Sequence, residues 1–307
     1  MNLSTKTAVF WKMAAILLYR FPDHISSEGS GMIASSFYNN KKVIVTGGAG
    51  FLARHLLEAL RLSGAKVYAT GRRPRPRNLH PSITYLRADC SDRKQCLKSF
   101  EGIQYLFHLA AAGSGFHANL NCQAKLLTDN MLLNTAVMDA AAAASVERYL
   151  FTSSIAVYPA DLNDPTEEDD LNGPPHAGEQ YYAWAKRLGE IQARAYFEQF
   201  QIPVAIVRPA NPYGPGDDFN PRTAHVIPAL IRRVLSGEKP LTVWGTGRPL
   251  RSFIYADDVV RGMLLALEKA ADCNPINLAT GDATSIAELV RMIARLAGRD
   301  EKKQNGY

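Results

Sequence analysis

Short runs of β-branched and aromatic residues alternate with amphipathic stretches along most of this chain, beginning near Lys42. The stretches between the runs are long enough for helices that cross from one parallel strand to the next. This alternation therefore predicts a parallel sheet with helices on both faces. The predicted strands are 42–46, 66–70, 83–87, 105–109, 148–152 and 204–208. The predicted helices are 52–63, 93–100, 123–145, 181–199, 226–236 and 285–298.

The predicted fold class is α/β, a Rossmann-like doubly wound parallel sheet with a smaller C-terminal lobe. Prolines and glycines become frequent between residues 209 and 221, where the alternation is interrupted. Such an excursion commonly covers the carboxyl ends of the strands, where open α/β sheets bind ligands. We expect a dinucleotide-binding domain formed by 41–207 with 251–282, and a substrate lobe, shortened at its end, formed by 208–250 with 283–307.

Residues 1–40 lack the strand and helix pattern of the rest of the chain and are predicted to be a dispensable extension. An apolar patch over residues 8–18 is broken by Lys12 and is too short to span a bilayer. A signal peptide with a faint cleavage site near Ala34, or a reading frame that really starts at Met32, are the alternatives. We favour the extension over a targeting signal and expect a cytoplasmic protein.

Composition narrows the functional class. With 307 residues and 47% apolar content, the chain is long enough to bury a sizeable core. The net charge of +6 is spread out, and its densest basic run, over residues 72–77, is interrupted by prolines, so neither nucleic acid nor membrane is an expected partner. The four cysteines form no CxxC pair and have no histidines at ligand spacing, so no metal site is predicted.

A glycine cluster follows the first predicted strand and leads directly into a helical pattern. Gly47, Gly48 and Gly50 permit backbone angles and close approaches that a Cβ would forbid. The helix that follows directs unpaired N–H groups at whatever lies over the turn, and a pyrophosphate suits that position. Ala53 occupies the third small position of the dinucleotide fingerprint. Alone the motif is weak, because an ordinary strand-to-helix turn has a similar sequence.

Tyr182 and Lys186 strengthen the case, because their spacing places them one turn apart on one helix face. A tyrosine has a pKa of about 10, and lowering it by ~3 units requires roughly 4 kcal/mol, which a neighbouring ammonium in a dry cleft beside an oxidised nicotinamide supplies. Ser154 follows another predicted strand, where its hydroxyl can bind a substrate oxygen. These residues suggest proton transfer coupled to hydride transfer.

At this level of detail the chain resembles the extended short-chain dehydrogenase/reductase family, also called the NAD-dependent epimerase/dehydratase family, from Lys42 onward. The motifs that carry the resemblance are Thr46–Ala53, His108–Ala111, Ser153–Ser154 followed by Val157–Tyr158, Tyr182 with Lys186, and Arg208–Pro215. The resemblance implies an enzyme of nucleotide-sugar chemistry that acts at C4 of an NDP-hexose by hydride transfer.

The resemblance also implies residue roles. Its catalytic set is Ser154, Tyr182, Lys186 and His225. Its cofactor contacts are Gly47, Gly50, Phe51, Leu52, Asp89, Leu109, Ala110, Ala111, Lys186 and Pro209. Its substrate contacts are Asn211, Trp244 and Arg251, with Arg251 at the substrate diphosphate. The implied partners are a nucleotide-diphosphate sugar and a second copy of the chain in a homodimer.

Two stretches, 113–119 and 218–247, are similar to the GDP-L-fucose synthase branch of the family. His225 matches that branch's epimerisation acid, although a histidine at a helix start that contacts only sugar or solvent is an equal alternative. The branch's partner cysteine is Ala156 here, and a methyl group cannot abstract a proton. Epimerisation at C3 and C5 is thus in question, whereas reduction or epimerisation at C4 remains open.

The end of the second predicted strand indicates the cofactor. It lacks the acidic residue that would bind a free ribose 2′-hydroxyl and continues into Arg72 and Arg73. Guanidinium groups suit a 2′-phosphate, so NADP(H) is favoured over NAD(H), and a solvated basic loop is the alternative. A family member that keeps the cofactor but has lost turnover, or one with a truncated reading frame, is the rival to an active enzyme.

Overall fold

The computed structural model describes residues 36–113, 122–162, 165–169, 171–243 and 245–299. The predictions that concern residues 1–35, Trp244 and residues 300–307 lie outside these ranges.

A seven-stranded parallel sheet forms the centre of the molecule, in the order β10-β6-β5-β4-β1-β2-β3. Its strands are β1 (Lys42–Thr46), β2 (Lys66–Gly71), β3 (Thr84–Arg87), β4 (Tyr105–His108), β5 (Arg148–Thr152), β6 (Val204–Pro209) and β10 (Asp272–Leu278). The first six confirm the predicted strands to within one residue at each end. The doubly wound α/β fold class is therefore confirmed.

The sequence pattern missed β10, which pairs with β6 at one edge of the sheet. Its sequence contains Pro275 and two asparagines, residue types that are depleted in strands. Proline is tolerated on an edge strand because its missing N–H has no ladder partner to lose there. A register shift between Asp272 and Pro275 and a positive φ at Cys273 further disguise the strand.

Helices cover both faces of the sheet. They are α1 (Phe51–Leu62), α2 (Arg93–Phe100), α3 (Gln123–Ala143), α4 (Gln180–Phe200), α5 (Val226–Ser236), α6 (Ala256–Lys269) and α7 (Ile286–Leu296). Val43 and Val45 of β1 pack on one face with α1 and α6, whereas Ile44 packs on the other with α2, α3 and α4. Successive strand side chains point to opposite faces, so a buried strand needs apolar residues throughout.

A smaller hydrophobic cluster lies beyond the main sheet and packs α5 against α7. Two short strand pairs border it: β7 (Asn211–Tyr213) with β9 (Phe253–Tyr255), and β8 (Leu250–Arg251) with β11 (Thr284–Ser285). This cluster occupies the chain segments assigned to the substrate lobe, and the exact domain boundaries stay a prediction.

A buried ion pair fixes α4 against the sheet. The Arg208 guanidinium donates from Nε and Nη2 to the two carboxylate oxygens of Glu190, at 3.0 and 2.7 Å. Glu190 also accepts the Ser153 hydroxyl, and Arg208 donates to the Tyr158 hydroxyl at 2.8 Å. Both charged residues are buried, so each depends on the other for compensation.

We predict that Glu190→Gln lowers the free energy of unfolding by about 3 kcal/mol, because it leaves the buried Arg208 charge uncompensated. The matched control is Glu147→Gln. It breaks the ion pair between Lys41 and Glu147, and the Glu147 side chain is half exposed. The control should cost less than about 1 kcal/mol. Urea denaturation measures both, and equal losses would contradict the assigned role of the buried pair.

Candidate active site

The strand order reverses between β1 and β4, which lie side by side in the sheet. In open α/β sheets this reversal leaves a crevice at the carboxyl ends of the strands, where ligands bind. The glycine turn leaves β1 at that crevice, and residues 109–111 leave β4 beside it. The topology thus places two groups of predicted cofactor contacts next to each other.

The glycine turn has the geometry of a pyrophosphate cradle. Gly47 has a φ of +71°, and a Cβ there would lie 2.9 Å from the backbone N and Cα of Ala110. The Gly50 N–H donates to the Gly47 carbonyl at 2.8 Å, and Gly50 caps α1 without a side-chain hydrogen bond. The first N–H groups of α1, at Phe51 and Leu52, therefore face the turn as anion donors. The residues present fit a dinucleotide.

A hydrogen-bonded chain of side chains underlies this cradle. Thr46 Oγ1 accepts the backbone N–H groups of Leu109 and Ala110, both at 3.1 Å, and lies 2.8 Å from His108 Nδ1. His108 Nε2 lies 3.2 Å from the Asn134 side-chain oxygen. Burial lowers the pKa of His108 to about 3, so the ring is neutral. The hydroxyl then donates to Nδ1, and Nε2–H donates to Asn134.

Two arginines stand exposed where β2 ends. Arg72 and Arg73 have exposed side chains, while their backbone carbonyls accept Arg87 Nε at 3.2 Å and the Tyr85 hydroxyl at 3.1 Å. Arg87, at the end of β3, thus adds a third guanidinium to the cluster, one that the sequence pattern did not single out. Three exposed cations at this edge suit a phosphate group.

Arg75 takes a different part in the same loop. Its guanidinium turns back to donate to the carbonyls of Ile83, Leu79 and His80, at 2.7 to 3.2 Å. These bonds fix the path of the loop that contains the proline and arginine alternation. Of the basic run, Arg72 and Arg73 therefore remain the residues available to a ligand beside the second strand.

Asp89 lies just beyond the end of β3, as the sequence predicts for an adenine contact. Its Oδ1 accepts the N–H and hydroxyl of Ser91, at 3.0 and 2.8 Å. Its own N–H donates to the Gln95 side-chain oxygen at 2.9 Å. The carboxylate is thereby held at the carboxyl edge of the sheet, and its contact with adenine stays a prediction.

Tyr182, Lys186 and Ser154 come together at the carboxyl end of β5. Lys186 Nζ donates to the Thr152 carbonyl at 2.7 Å and lies 5.6 Å from the centre of the Tyr182 ring. Ser154 lies close enough to the Tyr182 hydroxyl to lower its pKa, and the serine hydroxyl accepts the Ala156 N–H at 3.2 Å. The helix that presents Tyr182 and the strand end that presents Ser154 thus meet at one point.

Burial dominates the ionisation of this pair. It raises the pKa of Tyr182 well above the usual value, with a further rise from Glu179 and an opposing effect of the Ser154 hydrogen bond. Burial also lowers the pKa of Lys186 to about 8, opposed by Glu190. Both effects favour the neutral forms. A ligand that brings positive charge to Tyr182 would shift its pKa back toward neutrality.

Two of the predicted substrate contacts, Asn211 and Arg251, lie in the short strands that border the lobe. Asn211, at the start of β7, donates from its side chain to the Ser252 carbonyl at 2.9 Å. Arg251 immediately precedes Ser252 and keeps an exposed guanidinium. His225 caps the start of α5, with Nδ1 3.6 Å from Oδ1 of Asp217. Asn211 and Arg251 are therefore neighbours, and Pro209 ends the adjacent β6.

The described residues contain no group of three or more His, Cys, Asp and Glu side chains that could hold a metal ion. In the same ranges, no helix has the length and apolar composition needed to cross a bilayer.

Residues 43–279 match the NAD dependent epimerase/dehydratase family. That range contains the glycine turn, the Tyr182–Lys186 pair and the lobe contacts. The chain belongs to this family.

Relatives of this epimerase/dehydratase family member span most of its length. The dTDP-4-dehydro-6-deoxy-D-allose reductase of Streptomyces bikiniensis is 31% identical over 275 residues, covering 85% of this chain and 83% of the relative. The GDP-L-fucose synthase of Dictyostelium discoideum is 29% identical over 263 residues, covering 83% and 79%. The structure of MoeE5 in complex with UDP-glucose and NAD is 33% identical, with a TM-score of 0.71, covering 84% and 82%.

In this family member, several polar residues that support the site are not singled out by the sequence pattern. Asn134 has no sequence signal and His108 is only part of a motif, yet both form hydrogen bonds beneath the glycine turn. Glu190 and Asp217 have no sequence signal either. The one available signal was a polar residue inside an otherwise apolar run, as at His108 in β4.

Proposed function

We propose that this chain is a nucleotide-sugar oxidoreductase or epimerase that acts at C4 of an NDP-hexose by hydride transfer. One observation carries the proposal: Tyr182 and the buried Lys186 meet Ser154 at the carboxyl end of the sheet that also carries a glycine turn suited to a dinucleotide. The family membership and the names of its relatives, a keto-sugar reductase and a fucose synthase, support the same class of chemistry.

The three residues divide the work. The Ser154 hydroxyl binds the substrate oxygen at C4, and the Tyr182 hydroxyl donates or accepts its proton. The Lys186 ammonium stabilises the tyrosinate, and its bond to the Thr152 carbonyl fixes the position of Nζ. A bound nicotinamide cofactor supplies or takes the hydride.

The lobe side provides the remaining contacts in this proposal. Arg251 offers an exposed fork for the substrate diphosphate, and Asn211 lies beside it. His225 faces the same cleft as a polar contact or proton donor. Ala156 lies two residues beyond Ser154, where a proton-abstracting side chain would be needed for C3 and C5 chemistry. We therefore place the reaction at C4, as a reduction or a 4-epimerisation.

We predict that Tyr182→Phe lowers turnover of a nucleotide 4-keto-6-deoxy sugar by at least about 10²-fold, because it removes the proton donor. Cofactor affinity should remain nearly unchanged, since the substitution deletes one oxygen and little volume. The matched control is Tyr181→Phe, next to it and exposed on the same helix, which should keep its activity. The assay follows oxidation of NADPH with GDP-, UDP- and dTDP-linked substrates.

Deuterium from the solvent separates the alternatives. Label at C3 and C5 of the product would contradict the restriction to C4 and favour a fucose-synthase type epimerase-reductase. Cofactor binding without turnover or epimerisation of any GDP-, UDP- or dTDP-sugar tested would favour a family member that has lost its activity.

We also propose that the chain prefers NADPH to NADH. The exposed guanidinium groups of Arg72 and Arg73, joined by Arg87, lie where a ribose 2′-phosphate is read in this type of sheet. No carboxylate follows β2 at that point to select a free 2′-hydroxyl. The structure of the relative MoeE5 contains NAD, so family membership alone does not predict a preference for NADPH. The arginines of this chain's own loop are the basis of the proposal.

We predict that replacing Arg72 and Arg73 together by alanine weakens NADPH binding by about tenfold or more and leaves NADH binding within about twofold. Only NADPH loses charge-assisted hydrogen bonds in the double variant. The control is Arg77→Ala, an exposed arginine farther along the loop. Fluorescence titration of both cofactors into the wild type, the double variant and the control gives the dissociation constants, and an equal loss for both cofactors in the double variant would contradict a role in selecting the 2′-phosphate.

We further propose a homodimer through α3 and α4, which pack side by side. Their outer surfaces carry large exposed apolar side chains: Met131, Leu132, Tyr181, Trp184, Leu188 and Ile191. Those on α4 share one face by helical spacing, and a two-fold axis would pair that face with itself.

We predict that Ile191→Glu converts the dimer to a monomer in sedimentation velocity, because it places a charge in the apolar interface. The control is Leu296→Glu, an exposed leucine on α7, which should leave the dimer intact. A monomeric wild-type protein would contradict the proposal.

A further inference from the structure

The loop between β7 and α5 contains a buried carboxylate whose charge is only partly compensated. The Asp217 side chain is 1% exposed. Its Oδ1 accepts the Asp218 backbone N–H at 2.7 Å, while its Oδ2 is buried and, within the described residues, has no hydrogen-bond partner. A buried ionised carboxylate needs a nearby positive charge or further donors. The nearest ion-pair partner is the imidazole of His225.

His225 is placed to be that partner. Its Nδ1 lies 3.6 Å from Asp217 Oδ1, an ion-pair distance slightly longer than a hydrogen bond. The opposite ring nitrogen, Nε2, makes no hydrogen bond to the described residues, and 57% of the side chain is exposed. The ring thus has one edge against the buried carboxylate and the other edge free.

Because His225 lies at the start of α5, its protonated form needs a nearby carboxylate such as Asp217. His225 is the N-cap of α5, where the positive end of the helix dipole disfavours a cation. The pKa of His225 is nevertheless raised, chiefly by Asp217, with smaller contributions from Asp218 in the same loop and Glu179 at the start of α4. Glu179 also raises the pKa of Tyr182, so the same carboxylate acts on both side chains.

We propose that Asp217 is a positioning residue that keeps His225 as an imidazolium, with Nδ1–H toward Asp217 and Nε2–H presented to an oxygen of the bound nucleotide sugar. The nature of this ligand rests on the proposed function, whereas the Asp217–His225 pairing rests on the loop geometry alone. The pairing supplies a positive hydrogen-bond donor at the start of α5, whereas Ala156, two residues beyond Ser154, offers only a methyl group.

The first test needs no activity. Histidine NMR of the full chain gives the pKa of His225, whose signal is assigned by its loss in His225→Gln. Asp217→Asn keeps a side-chain oxygen for the Asp218 N–H and removes only the charge. It should lower the pKa of His225 by at least about one pH unit, since one charge at this distance contributes somewhat less than one unit in bulk water and about three units near a protein surface.

The matched control is Asp218→Asn. Asp218 is adjacent and exposed, and its carboxylate already accepts the Asn220 N–H at 2.8 Å and the Thr223 hydroxyl. Its removal should move the pKa of His225 by clearly less than Asp217→Asn does. Equal shifts in the two variants, or no shift in Asp217→Asn, would overturn the pairing. If Asp217→Asn fails to fold, Asp217→Glu takes its place, and a His225 pKa unlike that of the wild type would overturn it.

The second test uses the nucleotide sugar and separates this inference from the proposed function. In an active enzyme kcat/KM falls as pH rises through the pKa of His225, so Asp217→Asn should move that limb to lower pH and raise KM more than it lowers kcat. Asp217→Glu should restore part of the loss. A wild-type pH profile in Asp217→Asn would overturn the inference, whereas an inactive wild-type chain with the expected NMR shift would overturn only the proposed function.

Discussion

The buried pair of Glu190 and Arg208 is the constraint on which the rest of the site depends. It connects α4 to β6, and the Ser153 hydroxyl connects the same carboxylate to the end of β5. Tyr182 and Lys186 stand on α4, two turns and one turn before Glu190, respectively, and Ser154 directly follows Ser153. Burying two charges is unfavourable, but the paired hydrogen bonds between Arg208 and Glu190 join α4 to β6 at one defined position.

A second, uncharged connection runs from the glycine turn to the same helix. Thr46, His108 and Asn134 form a continuous chain, and the Asn134 side-chain nitrogen donates to the Ala185 carbonyl at 3.2 Å, next to Lys186. Because His108 is buried and neutral, the direction of each hydrogen bond is determined by its neighbours. This chain of hydrogen bonds thus fixes the glycine turn and the helix that carries Tyr182 and Lys186 relative to each other.

The sequence predicts those features of the fold that depend on local residue patterns alone. The first six strands follow from apolar periodicity, and Gly47 from a turn that only glycine fits, so both were predictable. β10 was not, because Pro275 is tolerated only at special places such as a sheet edge or a bulge, and no local pattern says that this strand lies at the edge. Arg75 belongs to the same basic run as Arg72, yet its guanidinium donates to the loop backbone at Ile83. The sequence does not distinguish the two arginines. Asn134, Glu190 and Asp217 owe their roles to partners distant in the chain or to burial, which periodicity does not encode.

Charge in the cleft is arranged so that the parts of the site depend on one another. Burial holds Tyr182 and Lys186 toward their neutral forms, because each loses hydration that a charged side chain needs. Solvent reaches His225 more freely, and acidic residues favour its protonated form. A proton therefore remains on Tyr182 until a ligand supplies compensating positive charge nearby, which discourages proton transfer in an empty cleft. The same low dielectric that makes the tyrosinate costly then strengthens its attraction to the Lys186 ammonium once both are charged.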